Sequence, residues 1–356
     1  MHSYEYLFTA IIIFAILIAS TTIVSIMPQP SINVSEKEQL KTVAQKIMTQ
    51  LTLNPGNPPD WGSNLTVGSS TLTAFGLAKY GEIARGAYVL DLDKVQRLNE
   101  NLPQNLYVPP SRVIDLLNLG NDYGIKIEFV PALNATVATE INSNSATIYV
   151  NVTGQNMLPI ANVNVTARIF YLYDGQIQKT PIFTNFTGID GQCMIKFDGF
   201  SSEDALLVLV IDYYGIRIIK TCILNAALTQ AFFLGDHLIL NSSLSIISDT
   251  AYQIIVAESD GTYMIDYALC GLNLTNEFSV PSYSLYEINY TEPSAIALLA
   301  VANGGSDLMV ACKSVPSCYS SIPGDASSPL IYMLERSVKI GESLYTMRLE
   351  IWRMSW

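Results

Sequence analysis

The sequence predicts a mainly β protein with an N-terminal transmembrane α-helix, a small helical membrane-proximal unit, a β-sandwich and a second β domain. Three observations predict it: an uncharged apolar run at 7–27, an apolar period of three and four residues from 35 to 53, and β-branched and aromatic alternation from 125 onward. The divisions that follow are an N-terminal flank at 1–6, the span at 7–27, the helical unit at 28–124, the sandwich at 125–228 and the C-terminal β domain at 229–356.

The span from Leu7 to Met27 reads LFTAIIIFAILIASTTIVSIM, with no charge, Pro or Gly. At about 1.5 Å per helical residue it covers roughly 30 Å, the hydrocarbon thickness of a bilayer. A cleaved signal peptide is the alternative, but the run is longer than a usual signal core and no Lys or Arg precedes it. Lys37, Lys41 and Lys46 follow the span, which by the positive-inside rule opposes an external C-terminus. A large domain can translocate regardless of flanking charge, and the sequons below argue for the outside.

The helical unit begins with Ser35 to Leu53, where Leu40, Val43, Ala44, Ile47, Met48 and Leu51 line one face. Ser35 is the expected N-cap, with Glu38 completing a capping box. Asn54-Pro-Gly-Asn-Pro-Pro-Asp-Trp61-Gly62 must stop the helix, and Trp61 is expected to fold back over its end. Tyr88 to Leu92 reads as a short strand, Asp93 to Asn99 as an acid-capped helix, and Ser111 to Leu119 as another helix.

Strands are expected at 125–130, 146–152, 162–173, 192–197, 205–212 and 216–224, separated by Gly, Asn, Asp and Pro turns. Asp190-Gly191 is a hairpin signal. Further strands are expected at 296–301, 307–312 and 345–351, and a strand that runs close to the end of a chain is normally tied into a sheet.

Asn-x-Ser/Thr occurs at Asn33, Asn64, Asn134, Asn151, Asn164, Asn185, Asn241, Asn273 and Asn289. The content of Asn, Ser and Thr would give about four by chance. All nine follow the apolar run, so the pattern predicts a glycosylated ectodomain.

Composition narrows the function. Only 14% of the 356 residues are charged, and the net charge is −12. An acidic chain without a basic cluster is repelled by phosphate backbones, which excludes nucleic acid as a partner. Of the two histidines, His237 alone follows the span, and it has no G-x-S-x-G beside it. Neither H-E-x-x-H nor a phosphate-binding glycine loop is present. Acids such as Asp91, Asp93, Asp190, Asp212, Asp260 and Glu287 read more simply as caps, turns and strand edges than as a catalytic pair. Glu258-Ser-Asp-Gly261 is the best calcium-like turn, without EF-hand spacing. No catalytic residue, cofactor or metal is therefore expected.

The cysteines are Cys193, Cys222, Cys270, Cys312 and Cys318, with no C-x-x-C. Cys193 and Cys222 fall in the predicted sandwich, and Cys312 and Cys318 flank a short loop. Outside the cell each pair could close a disulfide, leaving Cys270 over; free buried thiols are the alternative.

Two stretches resemble known families. Gly154 to Val165, followed by Thr187-Gly-Ile-Asp-Gly191, resembles Ig-like surface domains of the carboxypeptidase-regulatory or bacterial Ig-like type, which implies an Ig-like sandwich without active residues. Leu53 to Trp61, Phe75 to Ala78, Leu90 to Val95 and Tyr345 to Trp352 together resemble archaeal membrane-anchored surface proteins with a type IV pilin-like N-terminus. That resemblance gives Glu5, at the head of the apolar helix, an assembly role. The expected function is thus a non-catalytic structural or adhesive cell-surface protein in a lipid bilayer. The alternatives are a pilin-like filament subunit packing against copies of itself or other pilus subunits, and a surface enzyme or solute-binding receptor.

Overall fold

The computed structural model describes residues 13–18, 30–81, 88–142, 145–199, 204–224, 231–241, 249–275, 282–302, 305, 307–321 and 330–354. Strands make up 54% and helices 14% of the structure, so the chain is mainly β as expected. Two compact units are present, Met1–Val43 and Ala44–Trp356.

Of the predicted span, 13–18 are helical with exposed side chains; the rest of 7–27, like Glu5, lies outside the described residues. Among the described residues no helix is long and apolar enough to cross a membrane. Helix α1, Pro30–Leu53, starts before the expected cap, so Ser35 and Glu38 are interior to it. Proline needs no N–H partner in the first turn, and its φ is already helical, so Pro30 begins the helix rather than breaking it. Within the first unit, Glu38 accepts from the Thr42 hydroxyl through its carbonyl at 2.9 Å and pairs with Lys41 at 3.5 Å.

The second unit is built on a five-stranded sheet that joins distant parts of the chain. β1 (Val89–Leu90) pairs in parallel with β19 (Ile331–Ile340), followed by β20 (Ser343–Arg353), β2 (Tyr123–Pro131) and β18 (Cys318–Ser320). The terminal strand is tied into a sheet as expected, but its partners are β19 and β2 rather than the strands at 296–312. One face of the sheet is dry, with Ile125, Ile127, Phe129, Met347, Leu349 and Ile351 buried. The other carries a ladder of charge: Glu335–Arg348 at 2.6 Å, Arg348–Glu128 at 4.0 Å, Lys126–Glu128 at 2.7 Å and Lys126–Glu350 at 3.8 Å.

Loops and two short helices, α2 (Leu92–Gln96) and α3 (Pro110–Leu116), complete this base. Asp91 rather than Asp93 caps α2, accepting from the Asp93 and Lys94 amides. Trp61 is fully buried, and its indole N–H donates to the Pro55 and Gly76 carbonyls at 3.1 Å, just beyond α1. Gly76 has to be glycine, because a Cβ there would lie 2.0 Å from the Asn54 carbonyl oxygen.

The chain leaves the base at Pro131 and returns at Cys318, on neighbouring antiparallel strands. Everything between is inserted. First comes the sandwich. One sheet is β3 (Asn134–Asn142), β4 (Ser145–Thr153) and β8 (Gln192–Asp198). The other is β10 (Ile216–Leu224), β9 (Ala205–Tyr213), β5 (Asn164–Tyr173) and a split edge of β6 (Gln176–Lys179) and β7 (Phe183–Phe186). Ile148, Val150, Val165, Ala167, Ile195, Phe197, Leu207 and Leu209 fill the space between them. Asp190-Gly191 lies in a tight reversing turn, as expected, with the Gly191 amide on the Gly188 carbonyl at 3.0 Å and the Gly188 amide on the Gln192 carbonyl at 2.8 Å, but the two strands it joins part into different sheets. It carries the chain from β7, paired to β5, across to β8, paired to β4.

Next comes a seven-stranded sheet in the order β11 (Ala231–Leu234), β12 (His237–Asn241), β15 (Tyr283–Ile288), β14 (Thr262–Thr275), β13 (Thr250–Ser259), β16 (Ala295–Ala302) and β17 (Asp307–Cys312). The long strand β14 pairs with β13 along its first part and with β15 along its last, so the sheet curls and its end strands β11 and β17 lie against each other. Phe233, Leu238, Cys270, Leu272, Leu298 and Met309 fill the curl.

The two inserted parts are fused. Strand β9 reads ALLVLVIDY and is buried on both faces. Leu207 and Leu209 face the sandwich core, while Leu206, Val208 and Val210 pack with Phe170 on Ile254, Ile265, Leu299 and Val310 of the curled sheet. A strand dry on both faces has no polar alternation, which is why this run is continuously apolar.

Candidate functional site

The base is organised by two buried cations. Lys94 and Arg97 both have 0% exposure, one turn apart along α2 and its cap. The Lys94 ammonium donates to the Pro55 carbonyl at 2.8 Å and the Ala78 carbonyl at 2.9 Å. Arg97 donates to the Leu106 carbonyl at 2.8 Å and to the carbonyls of Trp61 and Val67. Burial depresses both pKa values, that of Arg97 to about 10. With the Asn64 carbonyl, 3.4 Å from the Arg97 guanidinium, six loop carbonyls converge on two side chains. The signal lay in Asp-Leu-Asp-Lys-Val-Gln-Arg97, where a cation recurs at a three-residue helical step beside Val95 and Leu98, inside a loop-rich segment. The chemistry is structural, since the cations are consumed by backbone.

A cavity of about 240 Å³ lies where β10, the β16–β17 pair and the β19–β20 turn meet. Ile219, Thr221, Cys312, Lys313, Ser343 and Tyr345 are among its lining residues. Its polar groups serve the protein itself. Lys313 pairs with Asp93 at 2.9 Å and lies 4.6 Å over the Phe233 ring. Ser343 accepts the Ile219 amide at 2.9 Å. Burial pushes the Cys312 thiol up to about 11, so it stays protonated at neutral pH. The volume is below the roughly 300–1,000 Å³ of ligand pockets.

Beside it, Arg217 gathers three hairpin tips. It reaches Asp212 at 3.6 Å on its own hairpin, Glu258 before the β13–β14 turn, and Glu342 at 3.7 Å in the β19–β20 turn. It also donates to the Tyr263 hydroxyl at 3.1 Å and lies 4.5 Å over that ring.

The other candidate acids are occupied locally. Asp190 accepts the Gln192 amide at 3.0 Å within its turn. Asp260 sits at φ 51° in the β13–β14 hairpin turn, so the calcium-like stretch is a tight turn. Glu287 lies cross-strand from His237, which pairs with Asp236 at 2.6 Å; that hydrogen bond lowers the Asp236 pKa. Among the described residues no three His, Cys, Asp or Glu could hold a metal ion.

All five cysteines are free thiols. Of the two alternatives for Cys193 and Cys222, a bridge or free thiols, the sheets hold free thiols. Lys220 of β10 donates to the Ala135 carbonyl of β3, and Asn185 of β7 donates to the Met194 carbonyl of β8. β8 and β10 therefore lie at opposite edges of the sandwich. Two strand spacings are about 10 Å, beyond the roughly 7 Å that a disulfide spans between Cα atoms. Cys312 and Cys318 are likewise free thiols, and the residues between them carry the chain from the curled sheet to the base, where Cys318 pairs with Glu128.

The sequons fall into distinct settings. The Asn33 side chain lies outside the described residues. Asn64 is in a turn of its own, accepting from the Thr66 amide at 3.0 Å and donating to Asp60 at 3.0 Å. Asn134 is half-buried beside the Met157 sulfur. Asn151 and Asn164 are half-buried with fully covered side-chain oxygens. Asn241 is half-buried at the end of β12. Asn273 and Asn289 are exposed and bonded to each other at 2.7 Å, with the Asn289 amide nitrogen against Gly271, where a Cβ would lie only 2.3 Å away. Asn185 is exposed at the sandwich edge. The structure thus places these residues on separate surfaces rather than in one site.

No protein-family model matches the chain, and no curated protein matches it in sequence. Among solved structures the chain is similar to a DUF4466 family protein from Parabacteroides merdae at 7% identity, over 63% of this chain and all of that one. The TM-score is 0.18, so this likeness carries no argument about fold or function.

Proposed function

We propose that this chain is a non-catalytic structural or adhesive protein of the cell surface, held in the lipid bilayer by the apolar run 7–27 with its glycosylated ectodomain outside. One observation carries the reading: the sandwich and the curled sheet are inserted between β2 and β18 and locked back onto the base. The chain enters and leaves the insertion on adjacent strands. The Ser343 hydroxyl accepts from β10, Gln155 donates to Thr346 at 2.8 Å, Lys313 pairs with Asp93, and Leu106 packs on Leu234, Ile239 and Leu285. A head held by two strands and several side contacts displays a surface at fixed orientation. That is what a structural or adhesive element requires, whereas domains strung on flexible linkers move by default.

Protease treatment of intact cells, followed by blotting for the head and for a cytoplasmic control, tests the topology. Digestion of the head while the control survives is the expected result. A head protected until the cells are lysed would sink the reading.

A second reading, a type IV pilin-like filament subunit whose N-terminal helix packs in a fibre core, is supported by α1 followed by a mainly antiparallel β fold, with Glu5 ahead of the apolar run. Its partners would be copies of itself or other pilus subunits. Negative-stain imaging of sheared cell surfaces separates the two: fibres labelled along their length favour the subunit, and label confined to membrane fragments favours the dispersed anchor.

A further inference from the structure

Strand β7 is an edge with an unusual surface. Its four residues, Phe183, Thr184, Asn185 and Phe186, are all exposed. From Ile182 to Ile189 the chain carries no charge and no proline. Phe186 is 55% exposed, Ile189 93%, and Met194 on the adjacent edge strand β8 is 54% exposed. Uncharged, apolar edge strands template pairing with other chains, and natural sheets protect them with charge, proline or a cover. Strand β7 itself has neither charge nor proline, and on β8 the exposed Lys196 and Asp198 are paired with each other at 3.0 Å.

Asn185 stands in the middle of that stretch, as Asn185-Phe186-Thr187. Phe183 and Asn185 lie two apart on one strand, so both side chains leave the same face, opposite Ala167 and Val165. There they bridge the gap to β8. The Phe183 ring meets Phe197 edge-on at 5.0 Å, and Asn185 Nδ2 donates to the Met194 carbonyl at 2.8 Å. An oligosaccharide leaving Nδ2 starts beside an aromatic ring and an exposed Met on the seam between the two sheets.

We infer that Asn185 carries an N-linked glycan whose first sugars cover the β7–β8 edge and keep it from pairing with other chains. This rests on the external placement proposed above. The group comes from a lipid-linked oligosaccharide phosphate: the sugar C1–Nδ2 bond forms, the C1–O bond to phosphate breaks with its electron pair staying on the phosphate oxygen, Nδ2 gives one proton to water, and the phosphate stays on the lipid carrier. Nδ2 keeps its second hydrogen.

Glycopeptide mass spectrometry on full-length protein from native membranes, compared with the N185Q variant, tests it. The expected result is an occupied Asn185, and an aggregated fraction of N185Q that rises about threefold or more in sedimentation. Adding T184K to N185Q should reverse the rise, because a charge also protects an edge, whereas a folding defect would persist. Other sequons occupied with Asn185 bare would overturn this inference and leave the surface placement standing. A chain bare at every sequon would overturn both. An occupied Asn185 whose loss causes no aggregation, or aggregation that T184K fails to relieve, would overturn the protective role.

Discussion

Arg97 lies 5.5 Å over the Trp61 ring while donating to the backbone carbonyl of that same residue. One guanidinium thereby fixes both the side chain and the main chain of the Pro-rich segment that ends α1. Replacing Arg97 by Met keeps volume but leaves the Trp61, Val67 and Leu106 carbonyls without their donor. Urea unfolding should show a loss of roughly 3 kcal/mol or more. Arg97→Lys should recover little, since a single ammonium cannot reach all the acceptors that the planar fork serves.

Tyr319 makes the base sensitive to alkali. Its hydroxyl donates to the Val108 carbonyl at 2.9 Å, and burial raises its pKa well above 10. The unfolded chain releases this proton near pH 10 and the folded chain keeps it. The stabilisation is therefore complete below pH 10 and falls as pH rises further, by up to about 1.4 kcal/mol per unit. Between pH 8 and 11, Tyr319→Phe should show a shallower decline than the parent protein in denaturant midpoints, while being less stable at pH 8 by roughly 1 kcal/mol.

Thiol reactivity should rank as burial ranks it. Cys318 is exposed, whereas Cys193 and Cys270 are buried and Cys222 and Cys312 are half-buried. Burial raises the Cys193 and Cys312 thiols to about 11. Iodoacetamide at pH 8 should label Cys318 first, and all five should label in urea without reductant. Fewer than five in urea would reveal a bridge, with Cys222 and Cys312, close enough for the charge of one to act on the other, the pair to check.

Local signals were legible and long-range ones were not. Strand β10 matches its apolar run end to end, and β17 runs from Asp307 to Cys312 as expected. Strand β3 escaped because only Asn134 to Val137 show any inward burial, and Thr139 to Asn142 are exposed along an edge. The pairing of Val89 with Lys339 joins segments that no local pattern connects, so the terminal strands were expected to belong to the nearest β region. The helical step between Lys94 and Arg97 is visible in the sequence, but nothing in it reports the carbonyls that loops fold back to present. The sequons were legible as motifs, and only the register of β5, β7 and β8 revealed that Asn185 occupies an edge.

The double burial of β9 gives a test of the fused head. Leu207 belongs to the sandwich core, and its neighbour Val208 belongs to the seam with the curled sheet. Leu207→Ala should cost roughly 2–5 kcal/mol and shift the unfolding of the whole head, since the cavity sits inside one sandwich. Val208→Asp buries a carboxylate in the seam directly cross-strand from Arg168, and draws away the guanidinium that donates to the Ile265 carbonyl at 2.7 Å and pairs with Asp266 at 3.6 Å. The sandwich can keep its own core while that contact opens. Calorimetry should then resolve two transitions in Val208→Asp where the parent protein and Leu207→Ala show one. A single transition in Val208→Asp, lowered as in Leu207→Ala, would mean that the sandwich cannot stand without the sheet packed on its outer face.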